Sequence, residues 1–223
     1  MNKLITILLC LTAIGSGTLK AQYTLSINDV EFDTSTGTIT NYINHRQKNI
    51  VIPGSFKGHK VRAIGKYAFS RSDLESVVIP ASVTDIGEMA FSINSLTAIE
   101  LPKGLKSIEA LAFASNYIRA VNIPRSVRSI KTSAFANNRL TTVNIPRKVK
   151  SIGAYAFAYN LLTSISLPLS VSSIGRHAFL DNQLSAIPLP NTRKTWRNCD
   201  NEVVREIAVF TKEYYVEGVA KPR

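Results

Sequence analysis

A chain of 223 residues with 27 Lys and Arg against 15 Asp and Glu carries a formal charge of +12. That balance favours acidic partners, whether anionic glycans, phospholipid headgroups or nucleic acid. The length fits one elongated domain rather than several globules, and two cysteines, Cys10 and Cys199, exclude a disulfide framework.

Residues 1–21 read as an export signal peptide. Lys3 supplies the positive start, residues 4–15 form an apolar run, and Leu19-Lys20-Ala21 offers a small-residue cleavage site before Gln22. The run is shorter than the roughly 20 apolar residues a spanning helix needs, so the mature chain is expected to have no transmembrane segment. Cys10 is not a lipidation site, because Leu8-Leu9 precede it where small residues are required. Cleavage would remove Lys3, Lys20 and Cys10, leaving a charge of about +10 and one cysteine, Cys199 in the terminal cap, as a free thiol or an occasional intermolecular link. The expected destination is the cell surface, the periplasm or the medium. Export argues against nucleic acid as the partner.

Residues 22–60 form an N-terminal cap and the start of the first coil. Phe32-Asp33 and Gly37-Thr38-Ile39-Thr40-x-Tyr42 read as a hairpin, followed by Ile50-Val51-Ile52-Pro53. The first coil is long, holding Lys57-Gly58-His59-Lys60-Val61, and Pro53 precedes Pro80 by 27 residues.

Over residues 61–190 one pattern repeats. Six Ala-Phe pairs, ending in Phe69, Phe91, Phe113, Phe135, Phe157 and Phe179, stand 22 residues apart, and so do Pro80, Pro102, Pro124, Pro146, Pro168 and Pro190. A unit this small cannot bury a core alone, so the period predicts a β-rich solenoid of stacked coils. Alternation at Val121 and Ile123 predicts a short strand with those side chains inward. Pro124 ends it, having no N–H for a ladder. Val127-x-x-Ile130 reads as a second extended segment on the opposite wall. Gly65, Gly87, Gly153 and Gly175 then suit a backbone position of positive φ, with Glu109 and Lys131 in that column in two coils. Coils so built stack into a parallel sheet at roughly 4.7–4.9 Å per repeat, with right-handed crossovers expected.

Two columns are structural in this reading. The phenylalanines form a spine, each worth roughly 1.5–3 kcal/mol by burial. Asn94, Asn116, Asn138, Asn160 and Asn182 follow Phe by three residues. A polar stripe could serve a ligand, but a bend in every coil leaves backbone groups that a buried Asn satisfies.

The motif L-x-x-[VI]-x-[IL]-P-x-x-[VL]-x-x-I-G-x-x-A-F-x-x-N resembles the BspA-like branch of the leucine-rich repeats, and the opening stretch resembles that family's amino-terminal lead-in. The L-x-x-L-x-L-x-x-N signature of other leucine-rich repeats is absent, since here Asn precedes the strand. The resemblance implies a bacterial secreted or cell-surface protein that acts in adhesion by binding proteins.

The tail, residues 191–223, breaks the period. Val203, Val204, Ile207, Val209 and Phe210, then Tyr214, Tyr215 and Val216, suggest two short strands capping the last coil, with Trp196 over its edge.

Catalytic groups do not assemble. His45, His59 and His177 lie in different coils or loops without metal-ligand spacing, and no nucleophile elbow or phosphate loop occurs. No enzyme activity, metal or cofactor is expected. Two surfaces remain for binding. Outward on the strand ladder run Thr97, Arg119, Thr141, Thr163 and Ser185 in one row and Glu100, Asn122, Asn144 and Ser166 in another; Arg119, Thr141 and Asn144 are the residues chosen for contact with an extracellular protein or glycan. Past each proline runs a basic ridge of Lys103, Lys106, Arg125, Arg128, Lys131, Arg147, Lys148 and Lys150, whose alternative partner is an anionic polysaccharide. A solvated face and solubility are the competing explanations.

Overall fold

The strands are short because their sequence makes them so. In the coil at residues 118–139, Val121 and Ile123 are buried while Asn122 is exposed, and the strand Ala120–Asn122 stops before Pro124. A computed structural model describes residues 22–184, in which these strands stack in parallel, coil on coil, as the walls of a β-solenoid. One wall runs through Tyr23–Thr24, Asn49–Val51 and Ser76–Val78, then through Ile99–Glu100, Ala120–Asn122 and Thr142–Asn144, and is prolonged by a bridge from Asn144 to Ser166. The second wall runs through Thr38–Tyr42, Ala63–Ile64 and Asp85–Ile86, then Ser107–Ile108, Ser129–Ile130, Ser151–Ile152 and Ser173–Ile174. Among the described residues the only helix is the single 3-10 turn Ile27–Asp29.

The lead-in is the expected hairpin, Val30–Asp33 antiparallel to Thr38–Tyr42, whose second strand opens the second wall. Asp29 anchors it: the buried carboxylate accepts from the Ser26 N–H at 2.6 Å, the Ser26 hydroxyl at 2.7 Å and the Asn44 amide at 2.7 Å. Burial pushes its carboxyl up, but the Ser26 and Asn44 hydrogen bonds outweigh burial and hold it below the usual range. The surplus length of the first coil is also explained. Ser55–Phe56 and His59–Lys60 pair as a small antiparallel hairpin, turned through Lys57 and Gly58 at φ of 47° and 84°. Two successive positive φ values suit a two-residue hairpin loop. Phe56 then tucks back against Phe32, ring centroids 5.2 Å apart.

Between the walls lies the aromatic spine. From Phe69 to Phe179 the rings stack at centroid separations of 5.2 to 5.7 Å with interplanar angles of 3° to 11°. Tyr42 extends it into the lead-in, 5.1 Å from Phe69, and donates its hydroxyl to the Gln47 carbonyl. Burial, with a contribution from the Asp29 charge, pushes the Tyr42 phenol up to about 12. Beside the spine each asparagine bridges coils. The Asn116 amide donates to the Phe91 carbonyl of the preceding coil at 2.9 Å and to its own Phe113 carbonyl at 3.2 Å, while its oxygen accepts from the Leu96 N–H at 3.1 Å. Asn138 and Asn160 repeat this set one and two coils on.

The glycine column differs from the expectation. None of Gly65, Gly87, Gly153 or Gly175 has a left-handed φ. Their role is close approach: a Cβ on Gly153 would stand 2.5 Å from the Thr132 nitrogen and 2.6 Å from the Lys131 carbonyl carbon. Left-handed backbone falls instead on side-chain-bearing residues flanking each Ala-Phe pair, such as Leu111 and Ser115 (φ 57° and 56°) or Ser133 and Asn137 (54° and 55°). Such a residue costs about 1–2 kcal/mol. The cost is offset because this geometry aims the N–H groups of Leu111, Phe113 and Ser115 at the carbonyls of Thr132, Ala134 and Ala136 in the next coil, at 2.9 to 3.0 Å. Residues 1–21 and the tail at 191–223, with its expected cap, lie outside the described residues.

Replacing Phe135 by Ala should cost about 3–5 kcal/mol in urea unfolding, as expected for a ring buried in a spine. Gly153→Ala should cost about 1–3 kcal/mol despite its ordinary φ, the price of shifting a neighbouring coil. A Gly153→Ala protein as stable as the parent would show that the approach is relaxed in solution.

Candidate interaction surfaces

The outward positions of the first wall follow from its register. Ala120 pairs with Thr142 and Asn122 with Asn144, flanking the buried Val121 and Val143. Outward rows are therefore Ala120 and Thr142, and Glu100, Asn122, Asn144 and Ser166, all exposed. The second row is the one expected. The row through Thr97, Arg119, Thr141 and Thr163 is exposed too, but it lies on the approach to the strands and not within them. Val121 and Ile123 point inward, so alternation puts Ala120 and Asn122 outward, and with them Thr142, which pairs with Ala120. Arg119 and Thr141 are direct neighbours, the Thr141 N–H donating to the Arg119 carbonyl at 3.2 Å. Asn144 is three residues further along and neighbours Asn122 instead. Ser185 lies outside the described residues.

Bordering the strands on the side of the asparagine bend is an edge the sequence reading did not single out. Tyr117 is 46% exposed and Leu161 40%, each immediately following a buried Asn. Between them in the column, Arg139 lays its guanidinium 4.6 Å from the Tyr117 ring centroid, a cation–π contact. Tyr159, also exposed, lies on the other side of Asn160. The signal was available: the position after Asn holds Tyr117, Arg139 and Leu161 in three successive coils.

The opposite border is basic. Lys103, Lys106, Arg125, Arg128, Lys131, Arg147, Lys148 and Lys150 are all exposed. The backbone stacks three of them directly: the Arg128 N–H donates to the Lys106 carbonyl at 2.9 Å and the Lys150 N–H to the Arg128 carbonyl at 2.8 Å. Ser126 pins the intervening turn, its hydroxyl reaching the Lys103 and Leu105 carbonyls at 2.7 and 2.6 Å. Lys131 stands one coil above Glu109, whose carboxylate takes the Ser107 hydroxyl. None of the eight is in an ion pair with a described residue; the pair Lys66–Glu88, at 3.0 Å, lies in earlier coils. Residues 110–180 hold nine Lys and Arg and no Asp or Glu.

Among the described residues no group of three or more His, Cys, Asp or Glu side chains is placed to hold a metal ion, and no helix is long and apolar enough to cross a membrane. His45, His59 and His177 sit respectively beside Tyr42, in the small hairpin, and against the Tyr155 ring.

The family described as a BspA type leucine-rich repeat region matches the chain in six copies, over residues 12–141 and 90–200. The chain belongs to the BspA-type leucine-rich repeat proteins. No curated protein matches it significantly. Among solved structures, a leucine-rich repeat protein from Eubacterium ventriosum is 19% identical, with a TM-score of 0.52 over 76% of this chain and 53% of its own. The Treponema pallidum leucine-rich repeat protein is 24% identical over 75% of this chain and 72% of its own, TM-score 0.44. A leucine-rich cell surface protein from Faecalibacterium prausnitzii is 27% identical over 67% and 49%, TM-score 0.48. This chain thus spans about half the length of the Eubacterium and Faecalibacterium proteins. The Eubacterium likeness is one of fold.

Unpaired cations stacked this closely repel one another. Raising NaCl from about 20 to about 300 mM should therefore raise the melting temperature through screening. A flat or falling melting temperature would show that the repulsion is not felt.

Proposed function

We propose that this BspA-type protein is an exported, non-enzymatic interaction module that adheres to a protein of a host or neighbouring cell through the outward face of its first wall. One observation carries the reading: the Phe and Asn columns are buried, with each Asn bonded to backbone, while the face between the two borders is exposed and varies more from coil to coil. Its side chains at Asn122, Thr142 and Asn144 are short, polar and uncharged, which suits hydrogen bonding to a partner without desolvating charge. The Tyr117–Arg139–Leu161 border adds what such a face needs for affinity, since Tyr and Arg dominate the energetic centres of protein interfaces. The leader at residues 1–21 and the family's surface character support an extracellular setting. Binding rather than catalysis fits a fold whose titratable groups do not converge.

The test is retention on an array of extracellular proteins and on intact cells. Substituting Arg119, Thr141 and Asn144 together by Ala should weaken retention by about tenfold or more, as should Tyr117→Ala with Arg139→Ala, with thermal unfolding unchanged. Undiminished retention by both variants would remove this face from consideration.

A further inference from the structure

The basic border carries a regular array of exposed cations. Two columns each place one cation per coil over three successive coils: Lys103, Arg125 and Arg147 in one, Lys106, Arg128 and Lys150 in the other. Axial backbone hydrogen bonds join the Lys106, Arg128 and Lys150 column, and the Ser126 hydroxyl ties the turn after Arg125 to the Lys103 carbonyl, so the charges repeat at the strand spacing of about 4.8 Å. The coil does not require cations there. In the preceding coil the same two positions hold Ala81 and Thr84, and in the following one Leu169 and Ser172. Solubility alone is served by interspersed charges of both signs, whereas residues 110–180 contain no acid at all. The arrangement raises the energy of the free protein and is relieved by an anion that repeats along the same axis.

We propose that these columns bind a linear acidic polysaccharide laid along the solenoid axis, with one carboxylate or sulfate engaged per coil. The inter-strand spacing of about 4.8 Å is close to the length of one pyranose unit along a linear chain, so successive sugars meet successive coils in register. Arg125, Arg128 and Arg147 supply planar donors that grip carboxylate and sulfate oxygens two at a time. An acidic protein fits less well, because the two columns offer no aromatic anchor on which a protein interface could centre. The site is separate from the strand face, so either can fail without the other.

The experiment uses the full chain, chondroitin sulfate oligosaccharides of graded length, polyglutamate as an acidic polypeptide and dextran as a neutral polymer. Chondroitin sulfate should bind, with affinity rising from disaccharide to tetrasaccharide and then levelling as the charged coils are filled, and weakening as salt is raised. Dextran should not bind. Reversing Arg125, Arg128, Arg147 and Lys148 to Glu should lower affinity by about tenfold or more, while reversing Arg46, Lys48, Lys57 and Lys60, an equal change of net charge, should leave most of it. Circular dichroism of both variants should match the parent. Polyglutamate binding as tightly as chondroitin sulfate would overturn the assignment in favour of an acidic protein. Equal losses in the two reversal variants, or a disaccharide binding as well as longer chains, would also overturn it.

Discussion

Every other feature of this molecule depends on hydrogen bonds that run from one coil to the next. No strand in the two walls exceeds three residues apart from Thr38–Tyr42, and a two- or three-residue strand has no stability of its own. The bond from Phe69 N–H to the Ala90 carbonyl is repeated by Phe91 to Ala112, Phe113 to Ala134 and Phe135 to Ala156. A ladder of this kind closes only if each coil has the same length, because one extra residue shifts every inward side chain to the other face. That explains both the strict 22-residue period and its exception. The surplus of the first coil is folded out as a self-paired hairpin, so the main path around the core keeps its register.

The same ladder explains where strain is tolerated. Two non-glycine residues flanking each Ala-Phe pair adopt left-handed backbone, joined by Asp73 in one coil, and among them are Tyr67, Met89 and Leu111, for which that conformation is unfavourable. The flanking pairs from Tyr67 and Arg71 to Tyr155 and Tyr159 persist because their N–H groups are held by the adjacent coil, as Tyr67 is by the Glu88 carbonyl and Met89 by Ala110. Glycine is used at a different place, where backbones of successive coils come closest, and the coils bearing Glu109 and Lys131 at that position show that the approach can open to admit a side chain.

These facts mark what a sequence discloses for such a fold. The Phe, Pro and Asn columns were legible because each answers to a periodic demand visible as a repeated letter. The left-handed positions were not, since their residues change from coil to coil and the demand on them comes from the ladder rather than from side-chain type. The row through Arg119 and Thr141 was placed on the strands for a related reason: both residues are exposed, but each precedes its strand, where alternation no longer sets the side chain's direction. The Tyr117–Arg139–Leu161 border went unseen because its members share position and not chemistry.

A protein whose backbone is committed coil by coil can place surface groups with a precision that loops lack. Along the basic border, the peptide groups beneath Lys106, Arg128 and Lys150 are fixed to one another, so a polymer of the proposed kind would meet a preset spacing and lose less freedom in ordering the site. The same rigidity prevents the cations from separating to relieve their repulsion, and the side chains can only swing within reach of fixed Cα positions. A flexible loop of like composition would spread its charges and present no repeat. Stacking thus converts three unremarkable basic turns into a one-dimensional lattice, and a lattice discriminates between a polymer that matches its spacing and a scattered anion of the same charge.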